Sequence, residues 1–182
     1  YFTCEDVSRF LHILPQSARV LCSRYVKNGI FIRLKRNYYV LEQKWNVIKN
    51  EELYKISNFL QVPSYVSLAT ALSYYGISTQ VQRNYCEAIT SRRTRVFIVK
   101  DAVFSFYKLK ECHYRDFIKN NGFFIATPEK AFIDAVYLYS FGKYKIDFSA
   151  LDFSKLDKRK LTMIIKKYPQ RVKKRVERLC KI

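Results

Sequence analysis

The sequence predicts an α+β protein: two short helices and a hairpin at the N-terminus, a mixed α/β unit after them, and two helices at the C-terminus. Three observations carry this. Start and stop signals bracket two amphipathic runs before residue 29. Short apolar runs with strand-like alternation recur between residues 96 and 126. Two basic amphipathic runs, separated by Pro169, fill the end of the chain.

The first helix spans 3–13, "TCEDVSRFLHI". Thr3 is placed to cap it and Asp6 stands three positions on, as in a capping box. Val7, Phe10, Leu11 and Leu14 recur at three- and four-residue steps and predict one apolar stripe. Pro15 interrupts the run, and a second helix follows over 16–27, "QSARVLCSRYVK". Ala18, Leu21, Cys22 and Tyr25 share one face, with Val26 beside them. Gln16, Arg19, Ser23 and Lys27 share another, with Ser17, Val20 and Arg24 at its margins. Asn28–Gly29 ends the helix, glycine suiting a left-handed cap. Then "NGIFIRLKRNYYVL" reads as a hairpin: Ile30–Leu34 and Tyr38–Leu41 as strands, Lys35–Arg36–Asn37 as the turn, with Asn37 tolerating left-handed angles. Helix, short break, helix, glycine stop and ribbon, in that order, predict a winged helix-turn-helix over 1–42.

Residues 43–62 are expected as a helical connector. "NEELYKISNFL" carries Leu53, Ile56, Phe59 and Leu60 at helical spacing, and Glu51–Glu52 suit its first turn. Pro63 closes it and sets a boundary before an α/β unit over 63–182. In that unit Ser67 is expected to cap a helix over 68–75, stopped by Gly76. Val96, Ile98 and the run from Ala102–Val103 to Phe106 are expected in strands, and "FFIA" at 123–126 is another short apolar run. Thr127–Pro128–Glu129 opens a helix that buries Ala131, Phe132, Ala135 and Leu138 and ends near Gly142. Of the two final helices, "QRVKKRVERLCK" presents Val172, Val176, Leu179 and Cys180 on one side and cations on the rest.

Composition narrows the function classes. The chain has 182 residues, 49% hydrophobic and 16% aromatic, enough for a packed core, and 4 Gly with 4 Pro argue against a disordered or fibrous class. Lys+Arg is 34 against 15 Asp+Glu, a net charge of +19, with about half of the excess in the last forty residues. Such a balance favours polyanionic partners. No apolar run is long enough to span a bilayer and no secretory leader is visible, so no membrane partner and a cytoplasmic location are expected. Cys4, Cys22, Cys86, Cys112 and Cys180 are odd in number and lack C-x-x-C spacing, and His12 and His113 are the only histidines. These are read as reduced, mostly buried thiols, with no metal site and no cofactor.

No catalytic residue is assigned. Glu129 suits a helix's first turn, and Asp134 lies five residues on, about 140° around the helix, so the two carboxylates do not share a face. No nucleophile–base pair or glycine-rich phosphate loop accompanies them, and an enzyme is not expected. The candidate site is instead a DNA-binding one. On the second helix, Gln16, Ser17, Arg19, Ser23, Arg24 and Lys27 carry base- or phosphate-reading chemistry. On the hairpin, Arg33, Lys35, Arg36 and Asn37 suit phosphate or minor-groove contact. A solvated helix face and a solvated hairpin are the plainer alternatives. Arg92, Arg93 and Arg95 fit either a partner or nucleic-acid contact or a charge guard on an edge strand. The basic terminal helix either extends a nucleic-acid footprint or packs its Val172–Val176–Leu179 stripe on the domain.

The blocks "SYVSLATALSYYGI", "AITSRRTRVF", "FSFYKL" and above all "IATPEKAFIDAVY", in this order behind a helix–helix–hairpin unit, resemble the AbiEi-type antitoxins of bacterial abortive-infection and type IV toxin–antitoxin systems. The resemblance covers nearly the whole chain, and "TPEKA" with its apolar flanks is its most specific part. It implies an antitoxin that binds double-stranded DNA at its own promoter, as repeated half-sites, and represses its operon. It also implies a cognate nucleotidyltransferase-like toxin counteracted through the C-terminal α/β unit. The turn Lys35–Arg36–Asn37 departs from the Arg-Gly common in that family's wing. Two other readings stay open: a stand-alone winged-helix regulator, and a toxin-neutralising interaction module with little DNA binding. An RNA-binding role is less favoured, since no aromatic platform of the usual RNA modules is present.

Overall fold

The computed structural model describes residues 1–80 and 83–182 and is mixed α+β. Helices α1 (Cys4–Leu11) and α2 (Pro15–Lys27) precede the antiparallel hairpin β1 (Phe31–Lys35) and β2 (Tyr38–Leu41). The expected capping box is present: Thr3 Oγ1 accepts from the Asp6 N–H, and the Asp6 carboxylate accepts from the Thr3 N–H at 2.8 Å. Asn37 turns the hairpin at φ 64°, a left-handed angle that asparagine tolerates better than most residues.

The apolar stripe expected along α1 is only half used. Val7 packs against a small core of Cys4, Cys22, Phe31 and Tyr39, but Phe10 is 83% and Leu14 73% exposed. For Leu14 the cause is length: α1 ends at Leu11, His12 caps it at φ 52°, and the chain turns before Leu14 reaches the helix pair. Phe10 lies within α1 on a side that no other element covers.

Residues expected as one helical connector divide into α3 (Glu42–Trp45) and α4 (Asn50–Leu60). Among the described residues six strands follow: β3 (Ser64–Val66), β4 (Tyr85–Thr90), β5 (Arg95–Val99), β6 (Ala102–Lys108), β7 (Phe117–Asn120) and β8 (Phe123–Ala126). They form one mixed sheet in the order β5-β6-β4-β3-β8-β7, with β3–β8 and β4–β6 parallel and the other pairs antiparallel. Helix α5 (Leu68–Tyr74) lies on the face carrying Glu87, whose carboxylate accepts from the Ala69 N–H at 3.1 Å. Helix α4 lies on the face carrying Cys86, beside Tyr54 and Ser57. The central strand β4 is thus buried on both sides, and its polar residues Glu87 and Thr90 are buried with it.

Helix α6 (Pro128–Ser140) is enclosed by α5, β8, α7 (Lys158–Ile165) and α8 (Gln170–Cys180), and nearly every one of its residues is buried. Thr127 caps it and Pro128 begins it, as the sequence predicts. Val172, Val176 and Cys180 pack inward from α8, with Leu179 half-buried, while Arg175 sits 4.7 Å from the Tyr139 ring centre.

Two charged residues of α6 are fully buried. The Lys130 ammonium donates to Asp134 Oδ1 and, at 3.0 Å, to the Tyr168 hydroxyl. Asp134 Oδ2 accepts from Tyr65 Oη at 3.0 Å and Ser67 Oγ at 2.9 Å. Burial drives the Lys130 pKa down and that of Asp134 up, and the attraction between the two opposes both shifts. Ser67 does stand at the α5 N-cap position, but its hydroxyl serves Asp134 and not the helix. The network joins β3, α5, α6 and the α7–α8 connection through one ion pair.

His113 stacks on Tyr168 at 4.1 Å between ring centres, and its Nδ1 is buried with no hydrogen-bond partner. Burial lowers its pKa below the ordinary 6.5, so the folded chain binds this proton less readily than the unfolded chain. Its stabilising contribution is complete above pH 6.5 and is lost as pH falls from there through the folded-state value. The urea midpoint is therefore expected to be lower at about pH 5.5 than at about pH 7.5, and His113→Phe, which keeps the stacking, is expected to flatten that difference.

Candidate nucleic-acid interface

The N-terminal surface is built from the hairpin outward. One side of the ribbon, Ile32, Leu34 and Val40, is continuous with the main core, and the other, Phe31 and Tyr39, covers α1 and α2 with Cys4 and Cys22. The hairpin is therefore a wall shared by two cores. Phe2 extends it by pairing its backbone with Tyr39, at 2.9 Å in both directions. Burial and the adjacent Cys4 thiol push the Cys22 thiol up to about 12, so the Cys22 sulfur acts as a small apolar group.

Between α2 and the hairpin lies a concavity of about 590 Å³. Arg19 and Ser23 enter it from α2, and Arg33, Arg36 and Asn37 enter it from the hairpin, over a floor of Cys4 and Tyr39. Five of the residues expected at a DNA-binding site thus face one space. Gln16 and Lys27 continue the Arg19–Ser23 stripe along α2 and are exposed, whereas Ser17 and Arg24 are exposed on the adjacent flank. Arg36 occupies the turn in solvent, and the Arg33 guanidinium lies 5.7 Å from the Tyr39 ring centre. The Asn37 side chain is taken up locally: its Oδ1 accepts from the Cys4 N–H at 3.1 Å and its Nδ2 donates to Glu5 Oε2 at 2.6 Å.

Lys35 is placed elsewhere. A bulge between Arg33 and Lys35 pairs Arg33 with Tyr39 but Lys35 with Tyr38, which turns the lysine to the opposite side of the ribbon. There its ammonium donates to the Phe59 carbonyl at 2.8 Å and lies 3.6 Å from the Phe59 ring centre. Burial holds its pKa below the ordinary lysine value. Lys35→Met is therefore expected to lower unfolding stability by about 1 kcal/mol through the lost hydrogen bond. It should leave the salt dependence of DNA binding unchanged, as read by fluorescence anisotropy across a salt series.

Sequence reasoning also missed Glu5. It approaches Arg19 at 4.0 Å, and the hydrogen bond from Asn37 holds its carboxyl below the ordinary carboxylate range. Its place in the first turn of α1 is ordinary for a carboxylate, so no pattern in the sequence assigns it to this surface.

The three arginines near residue 93 form a separate group. They line a shallow depression with Leu60, Gln61, Val62 and Phe97, at the edge formed by β5. Gln61 Nε2 donates to the Arg93 carbonyl at 2.9 Å, and the Arg95 guanidinium stacks 4.4 Å from the Phe97 ring centre. They do not join the α2–hairpin concavity. Among the described residues, no helix is long and apolar enough to cross a membrane. Compared with known proteins, the chain matches no family model and no curated protein at a significant level.

Proposed function

We propose that the chain is a DNA-binding repressor of its own promoter, that residues 1–42 act as a winged helix-turn-helix, and that the α/β unit serves as an antitoxin against a nucleotidyltransferase-like toxin. The observation that carries the DNA-binding part is the convergence of Arg19, Ser23, Arg33 and Arg36 on one concavity between a helix and a ribbon. Guanidinium groups are suited to phosphate and to guanine, and serine donates to either base or backbone. Cations on the ribbon supply position and salt-dependent affinity, and exposed polar side chains of α2 supply base readout. The antitoxin part is supported by the blocks "SYVSLATALSYYGI" and "IATPEKAFIDAVY", which fall on β3 with α5 and on β8 with α6, around the Lys130–Asp134 pair.

The test of the first part is a mobility shift with the native upstream promoter and a scrambled duplex. Preferential retardation of the promoter is expected, and equal affinity for both duplexes sinks the repressor reading. The second part is tested by co-expression with the product of the adjacent gene. Growth restored by the intact chain, and not by a version carrying residues 1–62 alone, is expected; no restoration by the intact chain removes the antitoxin assignment.

A further inference from the structure

A second cleft, of about 440 Å³, opens between β7 and α7, at the N-terminal end of α6. Four residues of α7 and its extension, Lys160, Met163, Ile164 and Lys167, line one side at i, i+3, i+4 and i+7, a single helical face. The adjoining face of the same helix, Leu161 and Ile165, is spent on the core. Phe117 and Ile118 supply the facing wall, and Met163 is 60% and Ile118 47% exposed although both are apolar. Lys160 and Lys167 make no ion pair among the described residues, and Arg115 faces the same space, with Asp116 beside it.

Glu129 lines this cleft and is 3% exposed. Its Oε1 accepts from the Asp157 N–H at 3.2 Å, but its Oε2 is buried without any donor. A buried carboxylate oxygen with no hydrogen bond is costly, and a bound molecule is one source of the missing donor.

We propose that this cleft binds a nucleoside phosphate. Three demands select that class. Lys160, Lys167 and Arg115, next to the first turn of α6, call for an anionic group. The apolar walls call for a ring with an apolar face, and the volume lies within the range of small-ligand sites. Glu129 Oε2 calls for an N–H donor, which every nucleobase carries on its pairing edge. Inorganic phosphate meets only the first demand. A free nucleotide and the end of a nucleic-acid strand share this chemistry. The inference does not depend on the DNA-binding reading of α2 and the hairpin.

The experiment is calorimetric titration of the full chain with the four ribonucleoside monophosphates, inorganic phosphate and a tetraribonucleotide, repeated with K160A/K167A. At least one nucleotide probe is expected to bind, inorganic phosphate at least tenfold more weakly, and the double variant is expected to lose tenfold or more. Binding by the monophosphates identifies a free nucleotide as the source, and binding by the tetranucleotide alone identifies a strand end. E129Q is expected to change the order of preference among the bases without changing phosphate binding. Silence of all nucleotide probes at millimolar concentration, phosphate binding as tight as any nucleotide, or undiminished binding by K160A/K167A overturns the proposal. Because Lys160 and Lys167 are exposed, the last outcome is readable even if E129Q fails to fold. An R33A/R36A chain that keeps nucleotide binding separates this site from the α2–hairpin surface.

Discussion

Replacing Arg33 and Arg36 together by alanine is expected to weaken promoter binding about 30-fold at 0.15 M monovalent salt. The figure follows from two lost phosphate contacts, each removing about 0.9 from the slope of log affinity against log salt. The same measurement gives its own check: the slope should fall by about 1.8 while the preference for promoter over scrambled duplex is retained, because phosphate contacts position and do not read sequence. Anisotropy titrations between about 0.05 and 0.2 M salt decide it. Lys35→Met is the internal control. It removes a neighbouring cation of the same turn, but one whose ammonium is already held by the Phe59 carbonyl. If Lys35→Met flattens the salt slope as much as the arginine pair does, the interface is not the concavity between α2 and the hairpin.

Lys130→Met is expected to destabilise the fold by about 3–5 kcal/mol. The change leaves the Asp134 carboxylate buried without its cation, and breaking one side of a buried pair costs far more than the intact pair contributes. For a chain of this size the thermal midpoint should fall by about 6–20 °C. Lys130→Met combined with Asp134→Leu should be more stable than Lys130→Met alone, since no buried charge remains. Recovery should be incomplete, because the hydroxyls of Tyr65, Ser67 and Tyr168 then lose their partners. Urea unfolding of the two variants beside the parent reads the order directly. A double variant less stable than the single would mean that the surrounding hydroxyl network, and not the charge pair, holds α6 against β3.

Local signals are most legible where one residue type satisfies one backbone need. Thr3 with Asp6, Thr127 with Pro128, and Asn37 in its turn all answer unpaired backbone groups or a left-handed angle within a few residues. The face of α2 follows from helical periodicity, which by itself puts Arg19 and Ser23 side by side. Short strands were harder. β3 has three residues and β7 four, too few for an alternation to register against a helix or loop. Phe10 and Leu14 carry the spacing of a core stripe yet stand in solvent, because spacing names a face and does not say what covers it. Ser67 holds the sequence position of a cap, and a carboxylate 67 residues away takes its hydroxyl.

The sequence by itself determined the order of helices and ribbon at the N-terminus, the stop at Gly29, the turn at Asn37, the capped start of α6 and the basic balance of the chain. These are local quantities, fixed by backbone angles, periodicity and charge. The tertiary structure alone decided which cations face the concavity between α2 and the hairpin. One bulge, invisible to alternation, sends Lys35 to α4 and leaves Arg33 and Arg36 with Arg19. The tertiary structure alone buried Lys130 and Asp134 as a pair and left Glu129 Oε2 without a donor, at a cleft that Lys160 and Lys167 also line. The reason is physical: a charged side chain's state depends on the dielectric and the partners around it, and those are supplied by residues distant in the chain.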